Sequence, residues 1–77
     1  MTISFKELEE ICKAKGLTLN ARGNVRLWKG NIDGRYARVC LHVHAFGRDI
    51  PNGTLNQYVK ELGFSNLNEL KEFYDSI

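Results

Sequence analysis

The stretch from residue 36 to residue 44 alternates between apolar and polar side chains, the pattern of a β-strand with one buried face. A capped helix is predicted shortly after it. One side of the strand is apolar and can cover a core. The other is basic, aromatic and titratable, as expected of a surface that meets phosphates or nucleotides. The apolar side carries Ala37, Val39, Leu41 and Val43, and the other carries Tyr36, Arg38, Cys40, His42 and His44.

The 77 residues are predicted to form one small domain, residues 1–77. No apolar run approaches the ~20 residues that a membrane helix needs, and no basic segment followed by an apolar one opens the chain. We therefore expect a cytoplasmic protein. Cys12 and Cys40 are the only cysteines, and in that compartment two reduced thiols are favoured over a disulfide.

Positive charge is concentrated in the middle of the chain. Residues 11–48 contain eight Lys and Arg residues against Asp33 alone, a net charge of +7, whereas residues 1–10 and 49–77 carry −2 and −3. This asymmetry favours a polyanionic partner. The alternative is that the basic positions only keep short strands soluble and prevent edge pairing.

Three helices and three strands are predicted from caps, turns and apolar spacing. The order is helix, three-stranded antiparallel meander, helix, helix, which gives an α+β two-layer sandwich with one sheet face left open. The cap pairs are Ser4 with Glu7, Thr54 with Gln57, and Asn66 with Glu69, for helices over about residues 5–15, 54–62 and 67–75. The strands cover residues 17–21, 25–29 and 36–44.

A strand register follows from placing a five-residue loop at residues 30–34. It puts apolar side chains together on the face that the helices cover. It pairs Leu19 with Leu27, Ala21 with Val25, Val25 with Val39, Leu27 with Ala37, Arg26 with Arg38, and Trp28 with Tyr36.

In that register the open face resembles an RNA-binding surface. Two arginines directly opposite each other repel. A phosphate bound between them would turn this unfavourable interaction into a favourable one. A paired tryptophan and tyrosine would stack a base, although such pairs also simply rigidify hairpins. The predicted nucleic-acid contacts are Arg22, Arg26, Trp28, Lys29, Tyr36 and Arg38.

His42 and His44 suggest two further chemistries. With Cys40 they have a spacing that a metal ion would accept, but a fourth ligand is not evident, so we expect neither a metal nor a cofactor. Histidine also suits acid–base catalysis, and RNA supplies its own nucleophile in the 2′-hydroxyl. His42 and His44 are therefore the predicted catalytic residues of any ribonuclease activity.

Residues 6–63 resemble the HicA toxin family. The similarity lies in Lys6-Glu-Leu, Lys15-Gly-Leu, Gly23 at the place of a Gly-Ser-His motif, Arg48-Asp-Ile-Pro-Asn-Gly-Thr-Leu, and Val59-Lys-Glu-Leu-Gly63. This resemblance implies a double-stranded-RNA-binding-like fold. It also implies the function of a messenger-RNA interferase that an antitoxin protein neutralises, with RNA and an antitoxin as partners.

Two departures from the family bear on activity. The position of the family's catalytic histidine is held by Val25, which the register places in the core, and Arg26 cannot act as a base because it stays protonated. Either the chemistry has moved to His44 or His42, or cleavage has been lost while RNA binding remains. A helix beyond Gly63, over residues 66–77, is the second departure.

A function of another class is a non-catalytic protein-binding module, such as a small inhibitor encoded by a mobile element that targets a nucleic-acid-handling partner. Its interface would be the acidic and apolar C-terminal segment, residues 66–77. The basic strands favour RNA binding over this alternative.

Overall fold

The computed structural model describes residues 2–42 and 47–77, and for His42 it describes the backbone position only. Helix α1 (Phe5–Ala14) is followed by strands β1 (Thr18–Arg22), β2 (Val25–Ile32) and β3 (Arg35–His42), and then by helices α2 (Asn52–Glu61) and α3 (Leu67–Ser76). The strands form one antiparallel sheet in the order β1-β2-β3. The predicted α+β class is confirmed.

The core lies between the helices and one face of the sheet. Its fully buried side chains come from all three helices, from β3, and from two residues that flank helices, Ile3 and Leu62. Because side chains alternate along each strand, the opposite sheet face stays outside this core. The buried helix residues are Leu8, Ile11, Cys12, Leu55, Val59 and Leu70, and the buried strand residues are Trp28, Ile32, Ala37, Val39 and Leu41.

Local caps set the ends of α1 and α3 as predicted. The Ser4 hydroxyl accepts from the Glu7 amide at 3.2 Å, and the Glu7 carboxylate accepts from the Ser4 amide at 2.9 Å. Gly16, with φ of 84°, follows the end of α1. The Asn66 side chain accepts from the Glu69 amide at 2.9 Å and begins α3.

The predicted start of α2 was wrong. The helix begins at Asn52, directly after Pro51, and not at the Thr54–Gln57 capping box. Proline holds φ at −58° here, and its carbonyl accepts the first helical hydrogen bond, from the Leu55 amide at 2.9 Å. The chain is therefore already helical where the capping box would begin.

The predicted register was also wrong, because the loop between β2 and β3 is shorter than expected. Asp33 and Gly34 have φ of 52° and 80°, the conformation of a two-residue type I′ turn. The strands therefore extend to Ile32 and Arg35. Each β2 residue pairs three positions further along β3, so Val25 lies opposite His42 and not opposite Val39.

An odd shift in register moves every β2 side chain to the other face of the sheet. The β1–β2 pairing moves by one position, so that Leu19 lies opposite Trp28. Trp28 is consequently in the core, 7% exposed, while Leu27 and Val25 are half-buried on the opposite face. The register that forms buries the large indole of Trp28 together with Ile32.

Candidate functional site

We call the sheet surface opposite the helices the open face. Its side chains follow from the alternation of residues in the paired strands. None of its described members is acidic, and most are exposed; Val25, Leu27 and Cys40 are half-buried. These members are Thr18, Asn20, Arg22, Val25, Leu27, Lys29, Asn31, Tyr36, Arg38 and Cys40.

Lys29 and Arg38 form a like-charged pair at the middle of the open face. They are register partners on β2 and β3, and both side chains are exposed. Like charges directly opposite each other on neighbouring strands oppose folding by up to ~1 kcal/mol. The sequence predicted such a pair but assigned it to Arg26 and Arg38.

Tyr36 presents an aromatic ring to solvent beside this pair. It lies two residues before Arg38 on the same face and is 62% exposed. Its register partner is Asn31 and not Trp28, so the predicted aromatic pair does not form.

The predicted open-face positions of Arg26 and Trp28 were wrong. Both side chains lie on the helix-covered face and bind Glu9 of α1: the Arg26 guanidinium forms an ion pair with its carboxylate, and the Trp28 indole donates to the same oxygen at 2.9 Å. The Arg26 and Glu9 side chains are 26% and 12% exposed. We call these three residues the Glu9 cluster; it joins α1 to the sheet.

Of the other predicted contacts, Arg22 ends β1 on the open face, together with Lys29, Tyr36 and Arg38. Val25, expected in the core, lies on the open face opposite His42, the last residue of β3. His44 and the side chain of His42 fall outside the described part of the chain, so the predicted catalytic role of the two histidines stays a prediction. In the described part of the chain, no three His, Cys, Asp or Glu residues gather as a metal site.

A basic depression of about 360 Å³ adjoins the open face between β3 and α2. We call it the β3–α2 depression. Its cationic members Arg35 and Lys60 were not among the predicted site residues, because they belong to two elements whose proximity depends on the tertiary fold. Its lining residues are Arg35, Tyr36, Ala37, Arg38, Lys60 and Glu61.

The two cysteines have different surroundings. Cys12 is fully buried in α1, and that burial, with a smaller contribution from the Glu9 charge, raises its pKa to about 12. Cys40 is half-buried on the open face, and both thiols are free. Tyr58 of α2 donates its hydroxyl to the Cys40 carbonyl at 3.3 Å, which holds α2 against β3.

We expect Ellman's reagent to modify one thiol of the folded protein and the second only after unfolding in urea. The raised pKa keeps Cys12 protonated at neutral pH, and its burial excludes the reagent. A Cys40→Ala variant should leave no rapidly reacting thiol in the folded state. Equal rapid reaction of both thiols in the wild-type protein would contradict the buried position of Cys12.

The sequence matches no protein-family model, and neither a curated protein nor a solved structure matches it. Among the described residues, no helix has the length and apolar character needed to cross a membrane. The open face is therefore the structural feature from which a function is proposed below.

Proposed function

We propose that this protein binds RNA through the open face of its sheet. The observation that carries the proposal is the exposed pair of Lys29 and Arg38, directly opposite each other on a face whose described residues include no carboxylate. A surface that places like charges together without acidic partners is destabilising alone and is relieved by a bound anion.

The spacing of the pair suits a phosphate group. Directly opposed residues of an antiparallel sheet have Cα atoms about 4.5–5.5 Å apart, so both side chains can reach one phosphate or two successive ones. Arg22 extends the positive charge toward the end of β1. Tyr36 offers a base an exposed ring to stack on, an interaction worth ~1–3 kcal/mol.

Simultaneous replacement of Lys29 and Arg38 by glutamine should weaken the binding of single-stranded RNA by roughly 3- to 30-fold, since exposed charge pairs contribute up to about 1 kcal/mol each. The dependence of log K on log salt should become shallower by about 1.4, or about 0.7 for each phosphate that the variant no longer neutralises. Fluorescence anisotropy of a labelled oligoribonucleotide across a salt series measures both quantities.

The matched control is the double variant Lys6→Gln/Lys13→Gln. It removes the same charge from exposed positions of α1, on the helical side of the molecule. Its affinity and salt slope should stay close to those of the wild type. Equal losses of affinity in the two double variants would mean that net charge, and not the open face, governs binding.

Ribonuclease activity is the narrower form of this proposal. The resemblance to HicA toxins assigns the family's catalytic position to Val25, which lies on the open face opposite His42. His42, at the end of β3, therefore lies opposite the position that the catalytic histidine occupies in the family. The proposed base and acid are His42 and His44, and an antitoxin protein would be the second partner.

Incubation with structured and single-stranded RNA, followed by a denaturing gel, tests for cleavage. If catalysis has moved, we expect RNA cleavage that His42→Ala or His44→Ala abolishes while RNA affinity stays unchanged. If the wild-type protein leaves RNA intact, the ribonuclease hypothesis is wrong and RNA binding without cleavage remains the proposal.

The protein-binding alternative has less support, because the apolar residues of α3 face the chain's own core. Leu70 is fully buried, and Leu67, Phe73 and Tyr74 pack against the same core. A wild-type protein that neither binds nor cleaves RNA would restore this alternative.

A further inference from the structure

Three cationic residues from two elements line the β3–α2 depression, which lies at the β3 edge of the sheet. Arg35 lies on the helix-covered face of β3 and Arg38 on its open face, so the two flank the edge of the sheet, and Lys60 lies in the last turn of α2. All three side chains are exposed. Glu61 is the one acidic residue among those that line it. Among the described residues the one ion pair within 4.0 Å joins Arg26 to Glu9, so none of these three cations has a carboxylate partner at that distance.

The backbone helps to position the Arg35 guanidinium. A Cβ atom built at Gly63 would lie 3.6 Å from Arg35 Nη2, so this side chain passes over a residue that has none of its own. Gly63 follows the C-terminus of α2, where the helix carbonyls favour a cation. The Arg35 guanidinium therefore lies beside the C-terminal end of α2.

Glu61 only partly offsets this charge. Glu61 is exposed overall, but partial burial of its carboxyl raises the pKa of that group, and the nearby Arg38 charge lowers it to a smaller extent. With Glu61 ionised, three cations and one carboxylate leave the depression a net charge of +2. A phosphodiester carries one negative charge, whereas a terminal phosphate carries about 1.5 to 2 at neutral pH.

We infer that the β3–α2 depression binds the terminal phosphate of an RNA strand, with Arg35, Arg38 and Lys60 as its ligands. This inference rests on the proposed RNA binding and assigns one end of the RNA to a fixed place. Tyr36 lines the depression and is also part of the open face, so its ring is placed to stack the terminal base. The remaining strand would then run onto the open face past Arg38 and Lys29.

Anisotropy titrations with four versions of one oligoribonucleotide test the inference: 5′-phosphate, 5′-hydroxyl, 3′-phosphate and 3′-hydroxyl, each labelled at the opposite end. For one of the two ends, the phosphorylated form should bind about tenfold tighter than its hydroxyl counterpart. Arg35→Gln/Lys60→Gln should abolish this preference but keep binding of the hydroxyl forms. Lys6→Gln/Lys13→Gln should keep the preference.

Glu61→Gln should strengthen binding of the terminal phosphate where the other variants weaken it, because it removes the negative charge from the depression. It should bind the preferred phosphorylated form several-fold tighter and leave the hydroxyl form nearly unchanged. All of these substitutions are at exposed positions, and a thermal melt of each variant verifies that it is folded.

The outcomes separate this inference from the proposed function. Equal binding of phosphorylated and hydroxyl forms, or a preference that survives Arg35→Gln/Lys60→Gln, overturns the terminal-phosphate site and leaves RNA binding in place. Failure of all four oligonucleotides to bind overturns both. A nucleoside monophosphate that competes at the oligonucleotide's own concentration would assign the depression to free nucleotides and overturn its assignment to RNA.

Discussion

Replacing Leu70 with alanine is expected to lower the free energy of unfolding by about 2–5 kcal/mol, the usual cost of truncating a fully buried leucine. Leu70 is 0% exposed and lies in the core that α3 shares with the other helices. Removing its side chain leaves a cavity between elements that cannot fully collapse. Urea denaturation followed by the fluorescence of Trp28, the single tryptophan, measures the change.

This result would show that α3 is an integral part of the fold. Lys15, after the end of α1, lies over the rings of Phe64 and Phe73 at 4.5 and 4.6 Å, and the Tyr74 hydroxyl donates to Glu10 at 3.3 Å. These interactions join α3 and the loop before it to α1. The segment beyond Gly63 therefore contributes to the stability of the fold.

Glu72→Ala is the control for Leu70→Ala, because Glu72 is exposed on the same helix. Its effect should stay within about 0.5 kcal/mol. A decrease in stability below about 1 kcal/mol for Leu70→Ala would mean that α3 contributes little to the core. The apolar residues of α3 would then be available to a protein partner.

The elements that the sequence predicted correctly are those whose signals are local. The capping box at Ser4 and the cap at Asn66 act within one turn of their helices, so four consecutive residues contain the information. The start of α2 was missed because Pro51 places the chain in the helix before Thr54 is reached. The alternation along β3 was correct for Ala37, Val39 and Leu41, all of which are buried.

The register was missed because it depends on a choice between two loops that one sequence allows. Residues 30–34 contain two glycines and suggest a five-residue loop, whereas Asp33 and Gly34 alone form the turn. A difference of an odd number of residues then places Trp28 and Arg26 on the wrong face. The signal that would have corrected it is non-local, because Glu9 of α1 is the carboxylate that Trp28 and Arg26 share.

Of the six predicted contact residues, four lie on the open face, and two, Arg26 and Trp28, lie on the helix-covered face. Arg22, Lys29, Tyr36 and Arg38 lie on the open face that the structure describes. The basic residues of the depression, Arg35 and Lys60, were missed because only the packing of α2 against β3 brings them together.

The second large effect concerns the Glu9 cluster. Glu9→Ala is expected to lower the free energy of unfolding by about 2–3 kcal/mol, because it leaves the Arg26 guanidinium and the Trp28 indole without their shared acceptor. The partial exposure of Arg26, 26%, keeps the cost below that of breaking a fully buried ion pair. Urea denaturation measures it, and a double-mutant cycle with Arg26→Ala isolates the coupling between the two side chains.

Glu10→Ala is the charge-matched control for Glu9→Ala, since Glu10 is its exposed neighbour on α1. The hydrogen bond that Glu10 accepts from the Tyr74 hydroxyl is exposed to solvent, so its loss should cost little. In the register first expected from the sequence, Arg26 and Trp28 would both lie on the open face, and the two glutamate variants would have similar, small decreases in stability. Trp28 would then also be quenched by iodide, whereas a side chain that is 7% exposed should resist quenching until the protein unfolds.

A large decrease in stability for Glu9→Ala with a shielded Trp28 therefore supports the same register that places Lys29 opposite Arg38. If Glu9→Ala and Glu10→Ala have equal effects and Trp28 is readily quenched, the residues assigned to the open face are wrong. The RNA-binding proposal then loses its main observation, the pair of Lys29 and Arg38.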